Sequence, residues 1–162
     1  MKVLILGHGD HGKDTFAQYL VEHSGLSFIS SSEFALDRAV WPRLNQFYRC
    51  KQHCFNDRKW HRDLWRDLIS QYNSPDKGRL CKEMLVDHDV YVGMRARDEY
   101  DVVRDLFYFI FYVFDPRKPL ESSMEIAFDP RHMIHVMNDS DKQSLKLKAI
   151  HYSNLLGLHA SS

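Results

Sequence analysis

The chain has 162 residues, 44% hydrophobic and 27% charged, with 22 basic against 22 acidic side chains. That length predicts one domain around one core, and the neutral balance excludes the broad basic field of a nonspecific nucleic-acid binder. No apolar run reaches the roughly 18–20 residues that cross a bilayer, no secretory cleavage region is recognisable, and three cysteines fit a reducing compartment, so a cytoplasmic protein is expected.

Val3 to Leu6 is a short apolar, β-prone run, read as a buried parallel strand. The stretch GHGDHGKDT at 7–15 follows it. KDTFAQYLVEHSG then sets Phe16, Ala17, Leu20 and Val21 on one helical face, with Gly25 as the stop. LSFIS at 26–30 reads as a second short strand. SSSEFALDRAV opens another helix with serine caps and an early Glu33, and Pro42 is expected to interrupt it. Residues 44–72 read as helical, with Trp60, Leu64, Trp65, Leu68 and Ile69 as the apolar stripe. YNSPDKGRL is a turn leading into a helix that runs to about Leu85. DVYVGMR at 89–95 is a strand ending on a glycine and an arginine, and DEYDVVRDL is a short helix. FYFIFYVF at 107–114 is almost continuously apolar, as a central strand with both faces covered should be. DPRKPLESSMEIAFDPRH is polar and proline-punctuated, MIHVMND at 133–139 is the last strand, and 140–156 forms the last helix. Strands alternating with helices predict an α/β fold with a parallel sheet.

GHGDHGKDT fits G-x-x-x-x-G-K, the pattern of a loop that cradles phosphate. The chemistry needs these residue types in this place. Glycines let successive N–H groups turn inward, the helix N-terminus adds partial positive charge, and a lysine reaches the β- and γ-phosphates. The candidate nucleotide-binding set is therefore Gly7, His8, Gly9, Asp10, His11, Gly12, Lys13, Asp14 and Thr15. The pattern usually continues with Ser or Thr, whose hydroxyl binds Mg²⁺; here Asp14 holds that place. Either Asp14 binds or orients Mg²⁺, or it caps the helix while Thr15 serves the metal.

Several segments, in chain order, carry a resemblance. They are GKDT after the loop, CFNDRKWHRDLW in the middle helices, DVYVGMRARDEYD, VFDPRKPLESSMEI, and HVMNDSD. Together they resemble the nucleoside monophosphate kinase group and, more closely, the small deoxynucleoside monophosphate kinases of bacteriophages. The resemblance implies a P-loop kinase fold in a single domain, 1–162. It would have a central parallel sheet of about five strands flanked by helices, acceptor-binding helices at about 31–85, and a short lid at about 115–132. It implies transfer of the γ-phosphoryl group of ATP, with Mg²⁺, to a (deoxy)nucleoside monophosphate in the cytoplasm, the host's if phage-encoded. Partners would then be these small molecules, with no nucleic acid or membrane, and either a monomer or a homodimer fits.

Phosphoryl transfer needs positioning and charge neutralisation, so arginines should converge from several segments. Arg95 ends a parallel strand at its C-terminal edge, where α/β sheets bind ligands, and is the candidate for the acceptor phosphate. Ser31, Arg38, Arg58 and Arg62 are further acceptor candidates, the last two expected one helical turn apart on a shared face. Arg117 and Arg131 flank the lid and are candidates for the transferring phosphoryl. The acid that many such kinases carry late in the third strand is absent at Val92 and Gly93. Asp87 and Asp89 come too early, and Glu99 is a weaker substitute, which directs attention to Asp14. Cys50, Cys54 and His61 lack a fourth ligand, so zinc is not expected. A P-loop kinase of another small acceptor, such as dephospho-coenzyme A, and a nucleotide-binding module without turnover are the alternatives.

Overall fold

Alternating side chains of four short strands reach two separate apolar layers, one on each face of a sheet. A computed structural model describes residues 1–158 of the chain; the tail of the expected domain, 159–162, lies outside the described residues. The strands are β1 (Val3–Leu6), β2 (Val90–Val92), β3 (Phe109–Phe114) and β4 (Ile134–Met137). They pair in the order β2-β1-β3-β4, and every pairing is parallel. On one face Leu4, Leu6, Tyr91, Ile110 and Tyr112 pack with Leu80, Met84, Tyr100 and Val103. On the other, Val3, Ile5, Val92, Phe111 and Val113 pack with Phe16, Leu20, Leu145 and Ala149. Period-two alternation with both faces covered explains why 107–114 reads as an unbroken apolar run. Each fully buried Leu, Ile or Phe contributes roughly 1.5–3 kcal/mol.

The helices covering these faces are α1 (Lys13–Ser24), α6 (Arg79–Asp87), α7 (Arg97–Val103) and α8 (Lys142–Leu155). α1 stops before Gly25 as its sequence predicts. Between α1 and α6 lie α2 (Ser31–Ala35), α3 (Trp41–Leu44), α4 (Lys51–Asp57) and α5 (Arg62–Tyr72). This region has its own core of Leu36, Ala39, Val40, Cys54, Trp65 and Leu68. No helix of the described residues is long and apolar enough to cross a membrane.

Three expectations are corrected. Among the described residues the sheet has four strands where about five were expected: 26–30 makes a single bridge, Phe28 to Val90. Side chains take that segment's polar groups from both ends. Ser27 N–H and Oγ donate to the Asp89 carboxylate at 2.9 and 3.0 Å, and Ser30 Oγ accepts from Glu33 N–H as the α2 cap. Pro42 does not interrupt its helix. A π-helical turn at Leu36–Val40 precedes it, and Trp41 N–H bonds back to Leu36 O. Pro42 then sits in the first turn of α3, where its missing N–H costs nothing. Finally, 44–72 is not one helix. It is broken by an extended Tyr48, by Cys50, and by a 3₁₀ turn at Arg58–Trp60 followed by a non-helical His61. The broken register leaves Trp60 74% exposed and Leu64 exposed, so Trp65 and Leu68 are the members of the predicted stripe that are buried.

Candidate active site

The path from β1 to β2 and back across to β3 makes a topological switch point between β1 and β3, where sheets of this kind leave a crevice at the strand C-termini. Residues 7–12 occupy it. A Cβ on Gly7 would stand 2.6 Å from Val113 O, so the loop leaves β1 pressed against β3. Gly12 caps α1 with φ +94°, and a Cβ there would meet Asn138 Nδ2 at 2.5 Å. Asn138 uses that nitrogen to donate to His11 O at 3.0 Å, tying the end of β4 to the loop.

Lys13, the first residue of α1, is 7% exposed, and its Nζ reaches only His8 O, at 3.5 Å. No carboxylate forms an ion pair with it among the described residues. Burial pushes its ammonium below the usual lysine range; Asp14 opposes this most, Arg95 adds to it, and Glu121 and Asp10 oppose it. A buried cation without a paired anion, at a helix N-terminus, is the arrangement that attracts a phosphate.

Asp14 is exposed and caps nothing; the cap position belongs to Gly12. With Gln18, Phe28, Ser30, Ser32 and Arg58 it lines a cavity of about 470 Å³. Arg58 stacks its guanidinium 3.9 Å over the Phe55 ring, and Nη1 donates to Phe55 O at 3.2 Å. Thr15 follows in the first turn of α1, half-buried. Ser31 places its Oγ beside Gly93 at the end of β2.

Arg95 lies just past β2 and meets the loop's surroundings, pairing with the Glu121 carboxylate and donating to Ser123 Oγ at 3.2 Å. The segment 115–125 crosses the loop without helix or strand, and two loop histidines hold it. His11, wholly buried, accepts from Asp115 N–H at Nδ1 (3.0 Å) and bonds Pro119 O through Nε2 (2.9 Å). This pairing assigns its proton to Nε2. His8 Nδ1 accepts from Glu121 N–H at 2.9 Å. Burial, then the neighbouring His11, keeps His8 below its usual pKa.

The two arginines expected to flank a lid are held by neighbouring carboxylates. The triplet Asp-Pro-Arg occurs twice, at 115–117 and 129–131, and folds the same way both times. Asp115 accepts from Arg117 N–H and chelates its guanidinium at 2.9 and 3.0 Å, while Arg117 Nη2 also donates to Ser140 O. The Arg117 side chain holds the Asp115 carboxyl down to about 2. Asp129 does the same to Arg131, whose side chain is 80% exposed. Arg38 pairs with Glu83 at 3.6 Å. Arg58 and Arg62 do not share a helical face, because the break at His61 separates them. Asp57 is bonded by Tyr48 Oη and His61 Nε2. Glu99 accepts from Tyr91 Oη at 3.3 Å, and burial pushes its carboxyl up to about 7. No group of three His, Cys, Asp or Glu side chains suited to a metal ion occurs among the described residues.

Sequence reading missed the roles of Glu121 and Asn138 and the two histidine clasps. Each joins residues more than a hundred positions apart, and no local spacing encodes such a contact. The arginine pinning did have a signal, the repeated Asp-Pro-Arg, since Asp before Pro favours a turn closed by its own side chain.

No family model and no curated protein matches the chain. Among solved structures, its fold is similar to that of an unliganded sugar kinase from Janibacter sp. HTCC2649, with a TM-score of 0.51 and 14% identity. The match covers 99% of this chain and 98% of that one. At that identity the likeness shows the fold alone: an α/β architecture with a parallel sheet flanked by helices.

Proposed function

We propose that this chain is a nucleoside monophosphate kinase that transfers the γ-phosphoryl group of ATP to a deoxynucleoside monophosphate. The observation that carries the proposal is Lys13, a buried ammonium without a paired carboxylate, at the start of α1 beneath a glycine-bearing loop. A polyphosphate supplies the missing anion. The loop's N–H groups and the α1 terminus add directed positive charge.

Arg95, at the end of β2, is the residue proposed for the acceptor phosphate. Its ion-pair partner Glu121 is bonded through its N–H to His8 of the loop, which sets the guanidinium beside the loop. Asp14 and Thr15 are proposed to hold Mg²⁺: an exposed, uncapping carboxylate facing an open cavity fits an oxygen-preferring cation. The ion would neutralise charge between the phosphates. Arg58 faces the same cavity and is proposed to bind the acceptor with Ser31, while Arg38 and Arg62 extend the acceptor side. Arg117 and Arg131 act on the phosphoryl group only after leaving Asp115 and Asp129. The acceptor phosphate is already an anionic nucleophile, so no general base is required. Residues 115–125 exclude water from the loop, which limits ATP hydrolysis.

A coupled assay of ADP release, with ATP–Mg²⁺ and each nucleoside or deoxynucleoside monophosphate, tests the proposal. Formation of no diphosphate from any of them overturns it. A second reading, transfer to a hydroxyl-bearing acceptor, draws on the sugar kinase with the similar fold. In that reading Asp14 is the proton acceptor, and the assay separates the two by including sugars and dephospho-coenzyme A.

A further inference from the structure

Glu121 sits at the mouth of the loop. The His8 clasp fixes its backbone, and its carboxylate fills the space that a Cβ on Gly9 would need. The same carboxylate pairs with Arg95, whose other partner is Ser123 Oγ. The charge of Glu121 also acts on Lys13 and His8. A carboxylate therefore lies where two cations and a glycine backbone converge, although α1 and β2 supply no acidic partner for Arg95 themselves. A carboxylate presents two oxygens and one negative charge. A phosphate monoester presents three oxygens and up to two charges, and it matches a guanidinium at least as well.

We infer that Glu121 is an internal competitor for Arg95 that makes the site select acceptors carrying a phosphate. A phosphate displaces the carboxylate from Arg95, while the His8 and His11 clasps keep the backbone at Pro119 and Glu121 over the loop. A neutral acceptor leaves Arg95 closed on Glu121. This inference rests on the phosphate-loop reading, and it adds a specificity-determining residue from outside the loop. Both side chains of the pair are partly solvated, so the competition is modest and reversible, about 2- to 5-fold in apparent affinity.

The test uses the full chain with inorganic phosphate as the probe, followed by ³¹P NMR titration. Glu121→Gln keeps the shape and removes the charge; it should bind phosphate about 2- to 5-fold more tightly than the parent. Glu121→Asp, with a shorter reach, should fall between. In an Arg95→Ala background the Glu121→Gln gain should shrink to the part that acts through Lys13. Equal phosphate affinity in parent and Glu121→Gln, or an undiminished gain without Arg95, overturns the inference. ATP binding in the parent and in Lys13→Met is measured alongside. ATP binding that depends on Lys13, without any Glu121 effect, sinks this inference and leaves the phosphate loop standing. ATP binding that is absent or independent of Lys13 sinks both.

Discussion

Replacing Lys13 by Met should raise the stability of the unliganded chain while abolishing ATP binding. The ammonium is 7% exposed, and its one hydrogen bond is 3.5 Å long. It therefore bears most of a charge-burial cost with little compensation. Met keeps the aliphatic stem and removes the charge. Relieving such a site typically returns about 0.5–2 kcal/mol, and for a chain of this length each kcal/mol moves Tm by about 2–4 °C. A rise of roughly 1–8 °C is expected. The pH dependence gives a second check. The folded-state pKa of Lys13 lies below 10.5, so between that lowered value and 10.5 the unfolded chain binds more protons. In the parent, stability should rise with pH across that window. Below it both states are charged and the burial cost is fully present. In Lys13→Met this contribution to the slope should disappear. Thermal melts from pH 7 to 10.5, with ATP titrations on the same samples, measure both effects. A variant that loses more than about 1 kcal/mol and keeps the parent's pH slope refutes the reasoning.

Gly12→Ala should cost about 2–5 kcal/mol, from the positive φ and from the 2.5 Å approach to Asn138 Nδ2. Chemical denaturation of Gly12→Ala, Asn138→Ala and the double variant should show non-additivity, because the second change removes the clash; strict additivity contradicts the packing argument. His8 should act as a pH-sensitive clasp. Burial and His11 lower its folded pKa below 6.5, so its contribution is complete above 6.5 and is lost as pH falls through the lowered value. The groups facing it are His11, Glu121, Arg95 and Lys13. Hydrogen exchange at the Glu121 amide, corrected for intrinsic rate, should accelerate over that range, and a flat profile argues against the clasp. Asp14→Ala should shift the Mg²⁺ dependence of turnover to higher concentration by about 10-fold or more, and an unchanged curve transfers the metal role to Thr15.

The parts of the fold written in strict periodicity were legible. Val3–Leu6 and Phe109–Phe114 alternate between two covered faces, and α1 runs from the loop to the glycine stop. Elements decided by side-chain capture were not. Ser27 looks β-prone until Asp89, sixty-two positions away, takes its N–H. Pro42 reads as a helix breaker until the π turn before it is seen. The placement of residues 7–15 between β1 and α1, and of Arg95 just past β2, was legible because the strand ends fix where these residues start. The pinning of Arg117 and Arg131 was not anticipated, because a solvated arginine and one chelated two residues away look alike unless the Asp-Pro-Arg turn is recognised. Glu121 had no signal, since its place depends on where a connection without helix or strand crosses the loop.

The single bridge at Phe28 also bears on how the molecule avoids its own copies. An open strand edge offers a row of N–H and C=O groups on which another chain can grow. Beyond β2 that row is one residue long. It is closed off by the Asp89 carboxylate, which holds the N–H and hydroxyl of Ser27 and also pairs with Lys2. The failed fifth strand thus leaves on this side only the three-residue β2 and a one-residue bridge, a short edge for another chain to pair with, and a charged residue guards the stub.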